Sequence, residues 1–330
     1  KIFTQPRRYP TELSGGTRGG VHPVYAISSA YLTLLQAYSA DITPGARKKV
    51  LKAVIAFVDN YLIPKKVEIA PGVVSWAYGM DWTVNWGIRL SPPWYSAYAN
   101  ANAAALCAIL YHVTKDGRYK RLAREAAAYL SLPLGAGGSE YDISGFKYPA
   151  EYVYSSLLPN VRVLDGEVIS VLALYNAARF LGDSEMLRIA YRQMASLAMA
   201  MEYYREKNGN LYFAYYIEEM PEHYKWQVWS ALQILALVAK EQRFADAAQA
   251  LCRMCRRNGV RRMVADGKGG EGGGACRKSQ IKSKAFHTPD LTLAHYGDLD
   301  RLAQIGLDGK AWMERLHGKA ETANTQLEIY

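Results

Sequence analysis

The stretch Lys147–Asn176, KYPAEYVYSSLLPNVRVLDGEVISVLALYN, carries most of the information about the fold. In its second half, apolar residues recur at i, i+3 and i+4 between Val163 and Tyr175, which predicts a helix with one face on a core. Asp165 stands where a helix N-cap belongs, and Gly166 lies just inside. We therefore expect a buried helix that begins at Asp165.

The first half of this stretch is a tyrosine-rich loop or short strand. Tyr148, Tyr152 and Tyr154 surround a single carboxylate, Glu151. Such a segment ahead of a buried helix can hold titratable groups at the mouth of a helical barrel. Tyrosine-rich loops also serve as half-buried packing, so both interpretations stay open on the sequence alone.

Paired helices recur along the chain. Helix, tight turn, helix and long aromatic loop form a unit that repeats four times, roughly every 60–70 residues, and repetition of this kind is an architectural signal. The predicted pairs are Val24–Ser39 with Ala46–Leu62, Tyr95–Val113 with Tyr119–Leu130, Asp165–Phe180 with Ser184–Tyr204, and Lys225–Lys240 with Phe244–Arg256. The pattern predicts a mainly α protein, an (α/α) toroid of about four helix hairpins. A linear solenoid has shorter repeats, of about 34–45 residues.

Short β segments interrupt the helices. Val67–Leu90 is rich in β-branched and aromatic residues and predicts a β-hairpin or a pair of short strands after a helix that Pro64 stops. Leu211–Ile217 is a second strand-like run. Residues 131–163, which include the tyrosine cluster, are predicted as a long loop. Inserted short β-hairpins are therefore expected between the helix pairs.

The chain divides into four predicted regions. An extended lead-in covers 1–22, the toroid 23–258, a flexible Gly/Lys/Arg-rich segment 259–285 and a weakly helical tail 286–330. The first residue is Lys1 and not methionine, so we expect a processed or partial chain. An extracellular, cell-envelope or secretory location is favoured, and a homodimer is an open alternative to a monomer.

Composition favours an anionic carbohydrate partner. The net charge is +10, and 25 tyrosines outnumber the 7 phenylalanines and 7 tryptophans. A basic excess suits a polyuronate, a sulfated glycan, nucleic acid or a membrane surface, and tyrosine suits sugars, which combine apolar faces with hydroxyls. No nucleic-acid motif and no apolar run of 18 residues is present. We therefore expect neither nucleic-acid binding nor a membrane span.

Several catalytic classes lack their motifs. The chain has no Ser-His-Asp order, no HExxH, no Walker loop and no GxGxxG between a strand and a helix. Cys252 and Cys255, with Cys276 and His287, imitate a zinc site, but the two nearer cysteines continue a helical pattern. We expect no metal and no cofactor. Loop carboxylates among tyrosines suit proton abstraction or glycosidic chemistry on carbohydrate.

Two further loops carry candidate residues. Tyr95, Tyr98 and Asn102 fall on one helical face, with Asn100 nearby, and this face could hydrogen-bond sugar hydroxyls or simply pack as a first helical turn. The run 210–226, NLYFAYYIEEMPEHYKW, contains two carboxylates, a histidine and four tyrosines. Its Glu-Glu pair can also be a solvated turn.

An ordered set of motifs over Val67–Lys240 resembles the C-terminal helical domain of the D-glucuronyl C5-epimerases. Pro92–Asn102 resembles the family's Pro-Pro-Gly-Trp-Tyr-Ser-Ala-Met-Ala-Gln-Gly-Gln motif, and Ala150–Val153 resembles its Glu-Glu-Tyr-Pro motif. Val163–Gly166 is similar to Val-Leu-Asn-Gly, and Gly209–Tyr212 is similar to Gly-x-Ile-Tyr. His223–Lys225 with Ala231–Gln233 resembles an Asp-Tyr-His segment that leads into Gln-Leu-Gln. The chain departs from these motifs in places. Both glutamines are asparagines, the proline after Tyr152 is missing, and so is an arginine after Tyr212.

This resemblance implies epimerisation at C5 of D-glucuronate residues in an anionic polysaccharide. It assigns proton transfer to Glu151, Tyr152, Tyr212 and Tyr224. Substrate contacts are expected from Tyr95, Tyr98, Asn100, Asn102 and Tyr154, and the substrate carboxylate is expected at Arg162 or Arg89. A polysaccharide lyase, which begins with the same proton abstraction, and a non-catalytic glycan-binding module are the alternatives.

Overall fold

The computed structural model describes residues 22–39, 43–83, 89–143, 145–153, 162–202, 204, 212–214, 218–219 and 222–257. Within these ranges it describes the backbone alone for residues 36, 39, 83, 89, 143, 212–214, 218–219, 222–226 and 252–257. The predicted lead-in apart from His22, the segment 259–285 and the tail 286–330 lie outside the described residues.

Helices dominate the described part of the chain, and they come as four sequential pairs. The pairs are α1 (Pro23–Ser39) with α2 (Pro44–Phe57), α3 (Ala97–Thr114) with α4 (Gly117–Ala128), α5 (Leu164–Leu181) with α6 (Ser184–Ala200), and α7 (Glu222–Ala239) with α8 (Gln242–Arg257). Each helix packs on its pair partner. The predicted helical class and the four helix hairpins are confirmed, with bounds that differ from the prediction by a few residues.

The odd-numbered helices form the inner layer. Contacts join α1 to α3, α3 to α5 and α5 to α7. Every residue of 97–110 except Tyr98 is buried, and most of α5 is buried as well, so these two helices are enclosed on all sides. Outer helix α4, by contrast, shows one buried stripe of Tyr119, Leu122 and three alanines. The closure of the inner helices into a toroid stays a prediction.

Helix ends are mostly fixed by side-chain caps. Thr43, Ser96, Asp116 and Asp183 each accept a hydrogen bond from a backbone N–H in the first turn of the helix that follows. Helix α5 differs, because its N-cap is Val163, which makes no side-chain cap. The N-cap assignment of Asp165 was therefore wrong.

Four antiparallel β-hairpins join these helices in the described ranges. They are β1 (Lys66–Ala70) with β2 (Val73–Trp76), β3 (Trp82–Thr83) with β4 (Arg89–Leu90), β5 (Glu140–Ile143) with β6 (Phe146–Pro149), and β7 (Tyr212–Ala214) with β8 (Glu218–Glu219). Val67–Leu90 thus holds two hairpins, and the region predicted as one long loop before α5 contains a third.

The predicted stop at Pro64 was also wrong. A π-helical turn, Val58–Leu62, follows α2, and helical structure continues over Ile63–Lys65. Proline is tolerated in the first turn of a helix because its missing N–H is not needed there. The strand β1 then begins at once with Lys66. No helix within the described ranges is long and apolar enough to cross a membrane.

Candidate active site

The segment that carries Glu151 and Tyr152 is held by the main chain on two sides. The Val153 N–H donates to the Tyr95 carbonyl at 2.9 Å, and the Tyr95 N–H donates back to Val153 at 2.8 Å. The Ala97 N–H donates to the carbonyl of Ala150, whose own N–H donates to the Ser139 carbonyl. This segment is therefore fixed between the start of α3 and the β5–β6 hairpin.

The side chain of Glu151 rests against the first turn of α5 at Gly166. A methyl group built on Gly166 would lie 2.2 Å from Glu151 Oε2 and 2.7 Å from its Cβ, closer than real atoms approach. Only glycine leaves room for the carboxylate in this place. Glu151 Oε2 is buried and has no hydrogen-bond partner among the described residues.

Asp165 brings a second carboxylate to the same turn. Only 2% of Asp165 is exposed, and its Oδ1 also lacks a hydrogen-bond partner within the described part of the chain. Burial raises the pKa of Asp165 to about 7, although the N–H groups of Gly166 and of Asp165 itself oppose the shift. A carboxyl group with this pKa changes its charge near neutral pH.

Burial also raises the pKa of Glu151 well above its usual value. The negative charge of Asp165 adds to this shift, and a hydrogen bond from Tyr152 opposes it. The two carboxyl groups are thus electrostatically coupled, and each loses its proton at a higher pH than an ordinary carboxyl group does. A carboxyl group that keeps a proton at neutral pH is suited to general acid–base work.

The third carboxylate of this site, that of Glu167 on α5, is fully paired. The Arg162 guanidinium donates to it with two hydrogen bonds, at 2.7 and 2.6 Å, and the Tyr141 hydroxyl donates at 3.4 Å. The guanidinium also lies 3.8 Å from the ring centre of Tyr148, and both charged partners are almost fully buried. Arg162, expected at the substrate carboxylate, is instead a core residue bound to Glu167.

An aromatic cluster borders Glu151 on the other side. The Tyr78 ring stacks on Trp94 at 3.7 Å, and Trp94 lies 5.9 Å from the ring of Tyr152. The Tyr78 hydroxyl accepts a hydrogen bond from the Val24 N–H at 3.2 Å. Burial raises the pKa of Tyr78 well above its usual value, and the charge of Glu151 contributes to the shift. Tyr78 therefore stays protonated in this position.

His22 completes the cluster from the N-terminal side. Its ring stacks on Tyr25 at 4.2 Å and meets Tyr78 edge-on at 4.9 Å. Burial lowers the pKa of His22 to about 4, so the imidazole is neutral at physiological pH. Neutral and enclosed, His22 contributes packing to this wall and no charge.

Two of the predicted sugar-binding residues have internal hydrogen bonds. Asn100 is fully buried, accepts from the Ser75 hydroxyl at 2.6 Å, and donates to the Val74 and Ala126 carbonyls. Asn102 is 2% exposed and donates to the Tyr98 carbonyl. The Asn100 side chain thus joins α3 to β2 and α4, and we do not carry its predicted sugar contact into the proposed function.

The remaining predicted residues differ in how far the structure describes them. Tyr95 and Tyr98 are half-buried at the start of α3. The backbone of Arg89 pairs with Thr83, that of Tyr212 lies in β7 and that of Tyr224 in α7, but their side chains are outside the description. Tyr154, Cys276 and His287 lie outside the described residues altogether, as do the side chains of Cys252 and Cys255.

Sequence reasoning missed Asp165, Glu167 and Tyr78 as parts of the site. One signal was available, because two carboxylates in the first turn of a helix that is otherwise apolar on every face are unusual in a core. Nothing in the local sequence pointed to Tyr78, which is held in place by a backbone bridge to Trp94.

A groove of 610 Å³ lies elsewhere, along α4 and the turn at Gly72. Its lining is basic, but Arg121 already pairs with Glu125, and Arg124 pairs with Asp183. The groove contains no tyrosine and therefore lacks the groups needed for proton transfer on two faces of a sugar. Among the residues that the structure describes, no cluster of three or more His, Cys, Asp or Glu side chains is arranged to hold a metal ion.

Comparison with known families identifies the family of this chain. The family model described as the D-glucuronyl C5-epimerase C-terminus matches residues 72–251, more than half of the chain. This chain belongs to that family, and membership indicates a carbohydrate epimerase that acts on uronic acid. No protein with a curated description matches the chain.

Proposed function

We propose that the protein epimerises D-glucuronate residues to L-iduronate at C5 within an anionic polysaccharide. The observation that carries the proposal is the buried Glu151 carboxyl, whose pKa lies well above its usual range, beside Tyr152 and inside the matched region. The C5 hydrogen is only weakly acidic, so a base must be close, oriented and partly desolvated. Glu151 meets the last of these requirements directly.

The reaction moves one proton to the protein and one back. The C5–H bond breaks, its proton forms an O–H bond on the Glu151 carboxylate, and the electron pair delocalises into the substrate carboxylate. An acid on the opposite ring face then gives its proton to C5, which inverts the configuration. Exchange with solvent resets both groups, so the reaction needs no cofactor.

Tyrosine supplies the acid in this proposal. A hydroxyl with a reference pKa of about 10 is a competent proton donor, and it ionises to tyrosinate only if neighbouring groups stabilise the negative charge. We assign Glu151 with Tyr152 to one face and Tyr212 or Tyr224 to the other. The family match covers all four residues, and Tyr152 donates a hydrogen bond to Glu151.

The substrate contacts of the proposal are polar and aromatic. Tyr95, Tyr98 and Tyr154 contact sugar rings, and Arg89 binds the substrate carboxylate, because Arg162 is committed to Glu167. The net charge of +10 supports a polyanionic substrate, whose approach it accelerates at low salt.

Incubation with a glucuronan in D₂O tests the reaction class. We expect deuterium at C5, seen by NMR and mass spectrometry, with iduronate signals and no change in chain length. Unsaturated chain ends would identify a lyase instead. Binding of the glucuronan without deuterium uptake would identify a glycan-binding module, and both results would overturn the proposal.

A further inference from the structure

Two carboxyl groups meet at the first turn of α5 with nothing to neutralise them among the described residues. Glu151 presses on Gly166, and Asp165 is the preceding residue in the same turn. Each group has one oxygen that is buried and without a hydrogen-bond partner in the described ranges, Glu151 Oε2 and Asp165 Oδ1. Buried carboxylate oxygens left without hydrogen-bond partners destabilise the folded state.

The described groups that face this pair do not supply a positive charge. Tyr152 donates a hydrogen bond to Glu151, and Tyr78 stays protonated next to it. Glu167 is a third acid close by, and its negative charge adds to the rise in the pKa of Glu151. The Arg162 guanidinium donates two hydrogen bonds to Glu167, so its charge offsets that of Glu167.

We propose that Asp165 is a positioning residue for Glu151, and that the two carboxyl groups share one proton across the first turn of α5. One shared proton converts the two unsatisfied oxygens into a donor and an acceptor. It also removes the repulsion between two buried negative charges, for the same reason that paired acids in other active sites ionise one at a time.

This inference rests on the proposed function for its catalytic meaning. With the shared proton on Asp165, that group donates a hydrogen bond to the Glu151 carboxylate and fixes the direction of its free oxygen lone pair. Glu151 can then accept the C5 proton. The pair carries a single negative charge before this transfer and none after it.

The decisive experiment follows the titration of both groups in the substrate-free protein. Protein labelled with ¹³C at the side-chain carboxyls of Asp and Glu is titrated by NMR, and the signals are assigned by comparison with Glu151→Gln and Asp165→Asn. We expect two steps separated by more than about one pH unit. Asp165→Asn should lower the midpoint of Glu151 by that amount, because the charge of Asp165 contributes to the raised pKa of Glu151, and Glu151→Gln should reduce the titration of Asp165 to a single step.

Independent titration overturns the inference. If each carboxyl keeps its midpoint when the other is made neutral, no proton is shared. If Asp165→Asn does not fold, Glu151→Gln remains as the test, and an Asp165 titration curve unchanged from that of the wild type would contradict the shared proton. Because no substrate is present, this result does not depend on the proposed reaction.

The pH profile of C5 deuterium exchange gives the second arm. Asp165→Asn can still donate a hydrogen bond to Glu151, so we expect exchange to persist and the acidic limb of its profile to move to lower pH by about one unit. Asp165→Leu has no donor and should lose at least tenfold in rate. An unshifted limb in the folded Asn variant would contradict the positioning role. Coupled titration without any C5 exchange would keep the shared proton and remove the proposed function instead.

Discussion

Two carboxylate sites at the start of α5 differ in their hydrogen-bond partners. Glu167 is buried under a bidentate guanidinium, with a tyrosine hydroxyl as third donor. Asp165 is as deeply buried, and Glu151 is half-buried against Gly166, but each keeps one buried oxygen without a hydrogen-bond partner among the described residues. The first arrangement satisfies charge and holds the fold, while the second keeps a proton available. The contrast shows that burial alone does not mark a reactive acid, since the neighbours decide.

The largest effect is expected from breaking the paired site. Arg162→Met leaves the buried Glu167 carboxylate without its counter-charge and should cost about 3–5 kcal/mol in the free energy of unfolding, measured by urea denaturation. The double variant Arg162→Met with Glu167→Gln should recover most of this loss, because no uncompensated charge is left.

The exposed pair Arg188–Glu185 is the matched control. Its side chains are 62% and 64% exposed, so Arg188→Met should change stability by less than about 1 kcal/mol. Equal effects at the two arginines would show that the buried pair contributes no more than a surface pair.

Glu151→Gln should act on turnover and leave the fold intact. Because the amide cannot accept the C5 proton, C5 exchange should fall by on the order of 10² or more. The far-UV circular dichroism and the melting temperature should be retained. Glu185→Gln, an exposed change, should leave exchange unaltered. Near-normal exchange in the Glu151 variant would move the base to Glu218 or Glu219.

Gly166→Ala should displace the Glu151 side chain. The new methyl would meet three Glu151 atoms within 2.7 Å, including its Cβ, so movement of the carboxylate tip alone does not relieve the clash. We expect a loss of about 1–3 kcal/mol in stability and a loss of C5 exchange of tenfold or more.

Gly117→Ala is its control, because Gly117 opens α4 and has no atom within 4 Å of the added methyl. That change should be neutral or stabilising by about 0.4–1 kcal/mol. If both alanine variants have the same stability and the same rate of C5 exchange, the contact between Gly166 and Glu151 is not needed for either property.

A smaller effect concerns the pH dependence of stability. The folded pKa of Asp165 is raised to about 7, so the folded protein holds a proton that the unfolded chain releases near pH 4. Its stabilising contribution is complete below about pH 4 and is lost as the pH rises through 7. Asp165→Asn has no ionisation to lose, so its melting temperature relative to the wild type should rise between pH 5 and pH 8. A constant difference across that range would contradict the raised pKa.

Local sequence patterns located the helices because their information is local. Apolar periodicity and caps such as Ser96 and Asp116 placed most helix starts within two or three residues. The family motifs pointed to Glu151 and Tyr152 for the same reason, because a short motif can be recognised from neighbouring residues without knowing how they pack.

The rest required tertiary structure. Asp165 looked like an N-cap because an acidic residue before an apolar run is a common helix start signal. The burial of its side chain depends on Glu151, which belongs to another segment of the chain. Asn100 and Arg162 looked available to a sugar, yet α3 is enclosed on every side, and Glu167 binds the guanidinium. Burial of a polar side chain is set by neighbours that no window of sequence contains.

The main-chain clamp on residues 150–153 bears on how this protein could be redesigned. Carbonyl and amide groups of Tyr95, Ala97 and Ser139 hold that segment, and none of these bonds involves the side chain at 151 or 152. The side chains at positions 151 and 152 can therefore be changed while these main-chain hydrogen bonds keep the backbone in place. Libraries at both sites, screened against alternative uronans, would vary chemistry while the path of the polypeptide stays the same.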